Sequence, residues 1–285
     1  MQFRRLLQST LVRPLLLAIE GNTVMRYAAW RGWRPSPLRY VTREDLRWYR
    51  EGEHDAEIKA AAAKVVGYTL VSWGRLASLW HQVAYLDRAG IPGALVECGV
   101  YRGGSSAMMA LAHLASVKPP MRPLHLFDSF EGVPEPTVVD GDLAHRDFSR
   151  IGAPAKALST SLEISRELLV AQCGYPESLL KYHVGWFEQT LPAEAAAVGD
   201  IALLRFDGDL YQSARLCLEH LYEQVSPGGI VVIDDYFRYE GCRKAVDEFI
   251  QDLPPILFNP VDANTVYWVK PLDSRRGRAA QGDRA

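Results

Sequence analysis

The sequence predicts an α/β fold in which a mostly parallel, seven-stranded sheet is covered by helices on both faces. After a turn at Gly90–Gly93, short apolar runs alternate with stretches whose apolar residues recur at helical spacing. This alternation is typical of parallel sheets, because a helix must carry the chain from one strand to the next. The 285 residues, 48% of them hydrophobic, suffice for one large domain with terminal additions.

The seven predicted strands are short apolar runs. In chain order they are Ala94–Val96, Leu124–Phe127, Tyr182–Val184, Ile201–Phe206, Ile230–Ile233, Ile256–Phe258 and Val266–Val269.

Helices between these strands are predicted from apolar residues at steps of three and four. One set is Ala214, Cys217, Leu218, Leu221, Tyr222 and Val225, and another is Ala245, Val246, Phe249, Ile250 and Leu253. Thr160 and Glu163 have the spacing of a capping box, and Gly174 is a candidate end for the helix that follows them.

The ends of the chain differ from this pattern. Residues 1–66 combine aromatic and charged side chains without strand alternation, which indicates a helical and irregular N-terminal extension, acting as a lid or an oligomer contact. Residues 67–271 form the α/β domain. Residues 272–285 lack an apolar pattern, so we expect a disordered tail.

Composition excludes several classes of protein. The net charge is −2, from 32 basic and 34 acidic residues, so nothing indicates a nucleic-acid partner. The four cysteines form no C-x-x-C pair, which argues against a zinc ribbon or a disulfide framework and favours a reducing compartment. The apolar run Leu15–Ile19 is too short to span a membrane. We expect a cytoplasmic protein, with peripheral membrane contact by the first turns as the lesser alternative.

A glycine-rich turn follows the first predicted strand, from Glu97 to Ser106. Its glycines allow close approach to a ligand, and the next helix begins with free amide groups. The spacing is not that of a dinucleotide-binding motif, and Glu97 would repel phosphate but attract an ammonium group. S-adenosylmethionine carries such an amino group.

Asp128 ends the second predicted strand. A carboxylate at this position can accept hydrogen bonds from both hydroxyls of a ribose, although an aspartate capping the next turn is the structural alternative.

Two later strands each stop on acids. Asp207 and Asp209 follow the fourth, and Asp234 and Asp235 follow the fifth. Taken singly, such acids are more often helix caps or solvated strand ends. Because the carboxyl ends of parallel strands share one edge of the sheet, we expect the acids to converge on one cation.

Several motifs occur in a fixed order: Glu97–Ser105, Phe127–Gly132, Gly185–Phe187 with Thr190–Pro192, Asp207–Tyr211, and Gly228–Gly229 leading to Asp234–Tyr236. Their order and spacing, from about Tyr68 to Lys270, resemble the macrocin O-methyltransferase family. The resemblance implies a Rossmann-like, class I methyltransferase fold for residues 67–271. It also implies the use of S-adenosylmethionine and a divalent cation to methylate a sugar hydroxyl, typically on a glycosylated natural product.

The resemblance assigns roles to individual residues. Asp207, Asp234 and Asp235 match metal ligands, and Asp209 matches the general base. The cofactor-contacting motifs contain Glu97, Gly99, Tyr101, Gly103, Ser105, Asp128, Ser129, Gly185 and Trp186. An all-carboxylate set favours Mg²⁺ or Mn²⁺ over zinc. The acceptor, the methylated hydroxyl and any homo-oligomeric state are not specified.

Two other functions remain open at this stage. Asp207-Gly208-Asp209 also resembles the D-x-D element of glycosyltransferases, which would leave Glu97 and Asp128 unexplained. The second alternative function is that of a non-catalytic protein that binds an adenosyl ligand. The histidines, including His125, lack ligand spacing and are interpreted as packing or surface residues.

Overall fold

The computed structural model describes residues 56–151 and 158–271, and it confirms the predicted fold class. Seven strands form one sheet in the order β3-β2-β1-β4-β5-β7-β6. The strands are β1 (Ala94–Cys98), β2 (Leu124–Asp128), β3 (Leu180–Val184), β4 (Ile201–Phe206), β5 (Val225–Ile233), β6 (Asn259–Pro260) and β7 (Val266–Val269). The first five are parallel to one another, whereas β7 runs antiparallel to β5 and β6 antiparallel to β7.

Eight α-helices lie within the described part of the chain. They are α1 (Ala56–Val65), α2 (Trp73–Arg88), α3 (Gly104–Ser116), α4 (Gly141–Ile151), α5 (Leu162–Glu167), α6 (Phe187–Glu194), α7 (Tyr211–Leu221) and α8 (Glu240–Ile250). A π-helical turn, Leu168–Gln172, continues α5, and Gly174 follows it with a positive φ of 75°.

The hydrophobic core has two halves because successive strand residues face opposite sides of the sheet. Leu204 and Phe206 of β4 pack with helices α4, α6, α7 and α8. Leu203 and the neighbouring Leu95 of β1 pack with α1, α2 and α3 on the other face. Burying each such leucine or phenylalanine side chain stabilises the fold by about 1.5–3 kcal/mol. The two halves hold the sheet rigidly between helical layers.

The register of the strands aligns their carboxyl ends. Cys98 of β1 is paired with Phe206 of β4, and Phe206 with Ile233 of β5. The amide of Asp207 donates to the Cys98 carbonyl at 2.8 Å, and the amide of Asp234 donates to the Phe206 carbonyl at 2.9 Å. The residues that follow these three strands therefore lie side by side at one edge.

Several predicted elements differ from the structure in their bounds. Strands β1, β2, β3 and β5 are longer than predicted, and helix α8 ends at Ile250, before Leu253. The sixth strand is Asn259–Pro260 and not Ile256–Phe258. Ile256 and Phe258 pack against the core without a ladder, while Leu257 between them is 78% exposed, so packing alone produces the apolar pattern. Val225 belongs to β5 and not to the preceding helix, which ends at Leu221.

The predicted capping box is also wrong. Helix α5 begins at Leu162 with Ser161 as its N-cap residue, one position after Thr160, and that cap makes no side-chain hydrogen bond. Thr160 and Glu163 therefore do not occupy the two positions that a capping box requires.

Part of the predicted N-terminal extension lies outside the described residues, which begin at Ala56. Helix α1, its last segment, buries Ile58 and Val65 in the core half that contains α2 and α3. The proposed tail at 272–285 is likewise outside them. Within the described ranges, no helix has both the length and the apolar character needed to cross a membrane.

Candidate active site

Three aspartates converge at the carboxyl edge of β4 and β5. Carboxylate oxygens of Asp207, Asp234 and Asp235 all lie within 4.8 Å of one another. Asp234 and Asp235 are 2% and 5% exposed, whereas the Asp207 side chain is 26% exposed and forms the open side of the group. The structure thus brings together the acids that the sequence placed at two strand ends.

The donor set fits a hard divalent cation. The three carboxylates lie close enough for one cation to bind them all after they draw closer together. Carboxylates are the ligands that Mg²⁺ and Mn²⁺ prefer. Burial, followed by the charge of Asp234, raises the pKa of Asp207 to about 8. This unfavourable proximity of acids is what a bound cation would relieve.

Asp209 lies beside this group rather than within it. Its side chain shares a hydrogen bond with Asp235, and burial and the Asp209 charge raise the pKa of Asp235. Asp209 has a φ of +61°, a left-handed backbone that is uncommon for a residue with a side chain. Such strain is often retained where it orients a functional group. Gly208 precedes it, and a Cβ there would lie 2.7 Å from the Phe206 ring.

A buried arginine links the acids. Arg205 of β4 is 1% exposed, and its Nη2 atom donates to Asp207 and to Asp234, each at 2.9 Å. Its Nη1 atom donates to Oε1 of Glu97 at 2.6 Å. Burial lowers the pKa of Arg205, but the charges of Asp234, Asp207 and Glu97 together raise this pKa by more. The guanidinium therefore stays charged. Arg205 thus supplies a permanent positive charge among the acids.

Glu97 occupies a different environment from the one the sequence suggested. Its side chain is 1% exposed, with one oxygen bound to Arg205 and the other to the hydroxyl of Ser106. Burial raises the pKa of Glu97 to about 7, against the opposing effect of Arg205. The described contacts of this carboxylate are therefore internal, and its contact with a cofactor amino group stays a prediction.

The glycine-rich turn is closely packed on its inner side. Gly99 has a φ of +92°, and a Cβ there would lie 2.0 Å from the Asp207 carbonyl oxygen. A Cβ on Gly103, which has a φ of +86°, would lie 2.6 Å from Ser165 Oγ. Ser105 lies at the start of α3, with its hydroxyl 3.4 Å from that of Thr69. Both glycines are required by packing, whether or not a ligand approaches the turn.

Asp128 holds the turn in place. Its Oδ2 accepts from the amides of Val100 and Tyr101 at 2.7 and 2.8 Å, and its Oδ1 accepts from the amide of Phe130 at 2.7 Å. The capping alternative is therefore present. A carboxylate has about four acceptor positions, and backbone amides occupy most of them here, so the contact of Asp128 with ribose hydroxyls stays a prediction. Ser129, 9% exposed, accepts from the amide of Glu131 at 3.1 Å.

The remaining predicted cofactor residues extend the same edge. The amide of Gly185 donates to the Asp128 carbonyl at 3.0 Å, and Trp186 is the N-cap residue of α6. Tyr101 has a φ of +52° within the glycine-rich turn. Gly99 and Gly185 thus follow β1 and β3, and Asp128 ends β2, which lies between those two strands.

Sequence reasoning missed the two arginines of the site. Arg205 and Glu97 each interrupt an apolar strand, and the two residues are register partners in the neighbouring strands β4 and β1. A charged residue in each of two buried strands was a signal that the sequence offered. Arg75 of α2 contacts Asp234 from 159 positions away, and no local pattern indicates it.

Comparison with known proteins places this geometry in context. A family model described as Macrocin-O-methyltransferase (TylF) matches residues 2–270. An enzyme of Streptomyces olivaceus, 8-demethyl-8-(2,3-dimethoxy-alpha-L-rhamnosyl)-tetracenomycin-C 4'-O-methyltransferase, is 36% identical over 225 residues, covering 76% of this chain and 82% of the relative. The demethyldecarbamoylnovobiocin O-methyltransferase of Streptomyces niveus is 32% identical over 266 residues, covering 91% and 93% respectively.

A solved O-methyltransferase structure is also similar to this chain. The O-methyltransferase NovP is 30% identical to this chain, with a TM-score of 0.62 over 72% of this chain and 83% of NovP.

Proposed function

The chain belongs to the macrocin O-methyltransferase family and is an S-adenosylmethionine-dependent O-methyltransferase, and we propose that its acceptor is a hydroxyl on the sugar of a glycosylated natural product. The names of two relatives support this acceptor class. One acts on a rhamnosyl tetracenomycin, and a mycinamicin III 3''-O-methyltransferase of Micromonospora griseorubida is 32% identical over 210 residues.

The reaction sets two requirements for the protein. The sulfonium of S-adenosylmethionine already activates the methyl group, so the enzyme must align donor and acceptor and make the hydroxyl proton removable. For the first, we assign the cofactor to the edge formed by the glycine-rich turn, Asp128 and Gly185. For the second, we assign the acidic group at the ends of β4 and β5.

Asp207, Asp234 and Asp235 would hold a divalent cation, and Asp209 would accept the proton. When bound, the cation supplies positive charge that lowers the pKa of a nearby hydroxyl. The observation that carries this assignment is the approach of the three carboxylates to within 4.8 Å. The role of Asp209 is supported by its hydrogen bond with Asp235. Asp209 is not one of the three aspartates whose oxygens lie within 4.8 Å of one another. The bond that forms joins the acceptor oxygen to the methyl carbon, and the thioether leaves.

Other features remain proposals. We assign residues 1–66 to a lid or oligomer contact, and residues 67–271 to the catalytic domain. The cytoplasmic location and homo-oligomerisation also stay predictions.

The acceptor is tested by incubating the enzyme with S-adenosylmethionine, Mg²⁺ and matched pairs of rhamnosylated natural products and their aglycones. We expect a mass increase of one methyl group only in the glycosylated member of each pair. Methylation of the aglycones, with none on the sugar, would overturn the acceptor class.

The cation is tested by chelation. Turnover should stop in excess EDTA and return with Mg²⁺ or Mn²⁺, while binding of S-adenosylhomocysteine should change little. Full activity in EDTA, or in a variant carrying both Asp234→Asn and Asp235→Asn, would exclude the cation.

A further inference from the structure

Asp234 lies between two guanidinium groups. Its Oδ1 accepts from Nη2 of Arg205 at 2.9 Å, and its Oδ2 accepts from Nη1 of Arg75. The carboxylate is 2% exposed, and the Arg75 side chain is 11% exposed. Both oxygens of a candidate cation ligand are therefore already paired with positive charge.

Arg75 reaches Asp234 because of the face on which it lies. Glu97, Arg205 and Asp234 extend the row of strand residues that faces α2, and Arg75 is in the first turn of that helix. The Nε atom of Arg75 donates to Oδ2 of Asp262 at 2.7 Å, and the Ser72 hydroxyl donates to the same oxygen at 3.1 Å. Arg75 is thus held from outside the acidic group.

Asp262 itself is fixed by its loop. Its Oδ1 accepts from the amides of Asn264 and Thr265 at 2.8 and 2.9 Å, and the Thr265 hydroxyl donates to the Asp234 carbonyl at 2.7 Å. The loop between β6 and β7 therefore anchors Arg75 and the backbone of Asp234 together. Arg75 would keep one charged partner if Asp234 turned to a cation.

We propose that Arg75 is a built-in counter-charge of the cation site, which holds Asp234 when no cation is bound and lowers the affinity for the divalent cation. The inference rests on the proposed cation site. Its effect is to make the metal exchangeable and to keep the acidic group folded without it.

Two effects of Arg75 on cation affinity oppose each other. Its hydrogen bond positions Asp234, which would favour binding, while its charge repels a cation bound to the same carboxylate. In a buried site of low effective dielectric, the repulsion between charges a few ångströms apart exceeds the net value of one hydrogen bond. Asp234 also keeps its bond to Arg205, so its orientation does not depend on Arg75 alone. The charge effect should therefore dominate.

The test is a measurement of Mn²⁺ binding by the chelator-stripped full chain, by calorimetry and by the electron paramagnetic resonance signal of free Mn²⁺. Arg75→Gln removes the charge but keeps a donor, so its Kd should fall about tenfold below that of the wild type. Its melting temperature in EDTA should fall, and added Mn²⁺ should raise that temperature by more than it does in the wild type. An unchanged or higher Kd would overturn the inference.

Two controls separate charge from geometry and from stability. Arg75→Lys keeps the charge and loses the fork, so its Kd should stay within about threefold of the wild type. Arg122 forms a comparable pair with Asp87, with 11% and 2% exposure, and its Nη1 atom donates to the carbonyl of Gly93, just before β1 begins. Arg122→Gln should lower the melting temperature and leave the Kd unchanged. A fall in Kd in this control equal to that in Arg75→Gln would overturn the specific role of Arg75.

A second variant tests the proposal if Arg75→Gln does not fold. Asp262→Asn keeps the acceptor for the loop amides but no longer offsets the Arg75 charge, so its Kd should rise about threefold or more. A lower or unchanged Kd would contradict the counter-charge. If the wild type binds neither Mn²⁺ nor Mg²⁺, the proposed cation site fails as well. A wild type that binds, with an unchanged Kd in Arg75→Gln, overturns this inference alone.

Discussion

Nη2 of Arg205 lies 2.9 Å from Oδ1 of Asp234, although 29 positions separate the two residues in the chain. The contact exists because β4 and β5 are adjacent and in register, so the last residues of one strand meet the first residue after the other. The buried guanidinium of Arg205 offsets part of the negative charge of Asp207 and Asp234, so the electrostatics of these acids depend on it.

Asp128 should contribute to cofactor binding by holding the amides of Val100 and Tyr101 in the glycine-rich turn. Asp128→Ala is expected to weaken S-adenosylhomocysteine binding by roughly 1.5–3 kcal/mol, the range for hydrogen bonds to a charged group. Calorimetry measures the change, with Asp142→Ala on the exposed side of α4 as the control. Wild-type affinity in Asp128→Ala would remove this residue from the cofactor site.

Asp207 and Asp209 should give different defects, because only Asp207 belongs to the group of three. Asp207→Asn should raise the Mg²⁺ concentration needed for half-maximal activity, and excess metal should partly restore the rate. Asp209→Asn should leave metal and cofactor binding nearly intact and lower kcat by roughly 10²–10⁴, the usual contribution of a general base. Steady-state kinetics across a Mg²⁺ titration separate the two. Recovery of Asp209→Asn with added Mg²⁺ would make Asp209 a ligand or its support.

Gly99 should not tolerate a side chain. A Cβ would lie 2.0 Å from the carbonyl oxygen of Asp207, a residue whose amide is bonded to the Cys98 carbonyl, and the φ of +92° adds strain. Gly99→Ala is expected to lower the free energy of unfolding by more than about 3 kcal/mol. A Cβ on Gly67 would meet no other atom within 4 Å, so Gly67→Ala is the matched control and should be near neutral. Urea denaturation of both variants gives the comparison, and equal midpoints would contradict the close packing.

His125 should make stability depend on pH. Burial, and then His183, lower its pKa from 6.5 to about 4. As the pH falls below about 6.5, the unfolded chain binds a proton that the folded chain does not. The stability present at neutral pH is therefore lost progressively down to about pH 4, by up to about 3 kcal/mol.

The measurement is urea unfolding of the wild type and His125→Gln at about pH 7 and about pH 4.5. The variant should lose less stability than the wild type over this interval, because it lacks the group that titrates. His81→Gln, at an exposed position, should follow the wild type. Parallel losses in the wild type and in His125→Gln would show that other groups cause the pH dependence.

Much of the fold could be predicted because its signals are local. The first five strands each contain a short apolar run, and several turns between elements carry glycine or proline. The sixth strand and the capping box at Thr160 failed because each depends on where a neighbouring segment packs: Phe258 is apolar for the core rather than for a ladder. Similarly, Val225 has the spacing of the apolar residues of the preceding helix, although it is the first residue of β5.

The sequence by itself determined that acids follow adjacent strands, since a strand end and the residue after it are both local features. Asp207, Asp209, Asp234 and Asp235 could therefore be grouped before their positions were known, and the family resemblance then set Asp209 apart from the other three. Only the tertiary structure decided what faces them. Glu97 is directed to Arg205 and Ser106, and Arg75 reaches Asp234 from 159 positions away. The physical reason is that charge pairing in a buried site depends on distance in space, which no local pattern encodes.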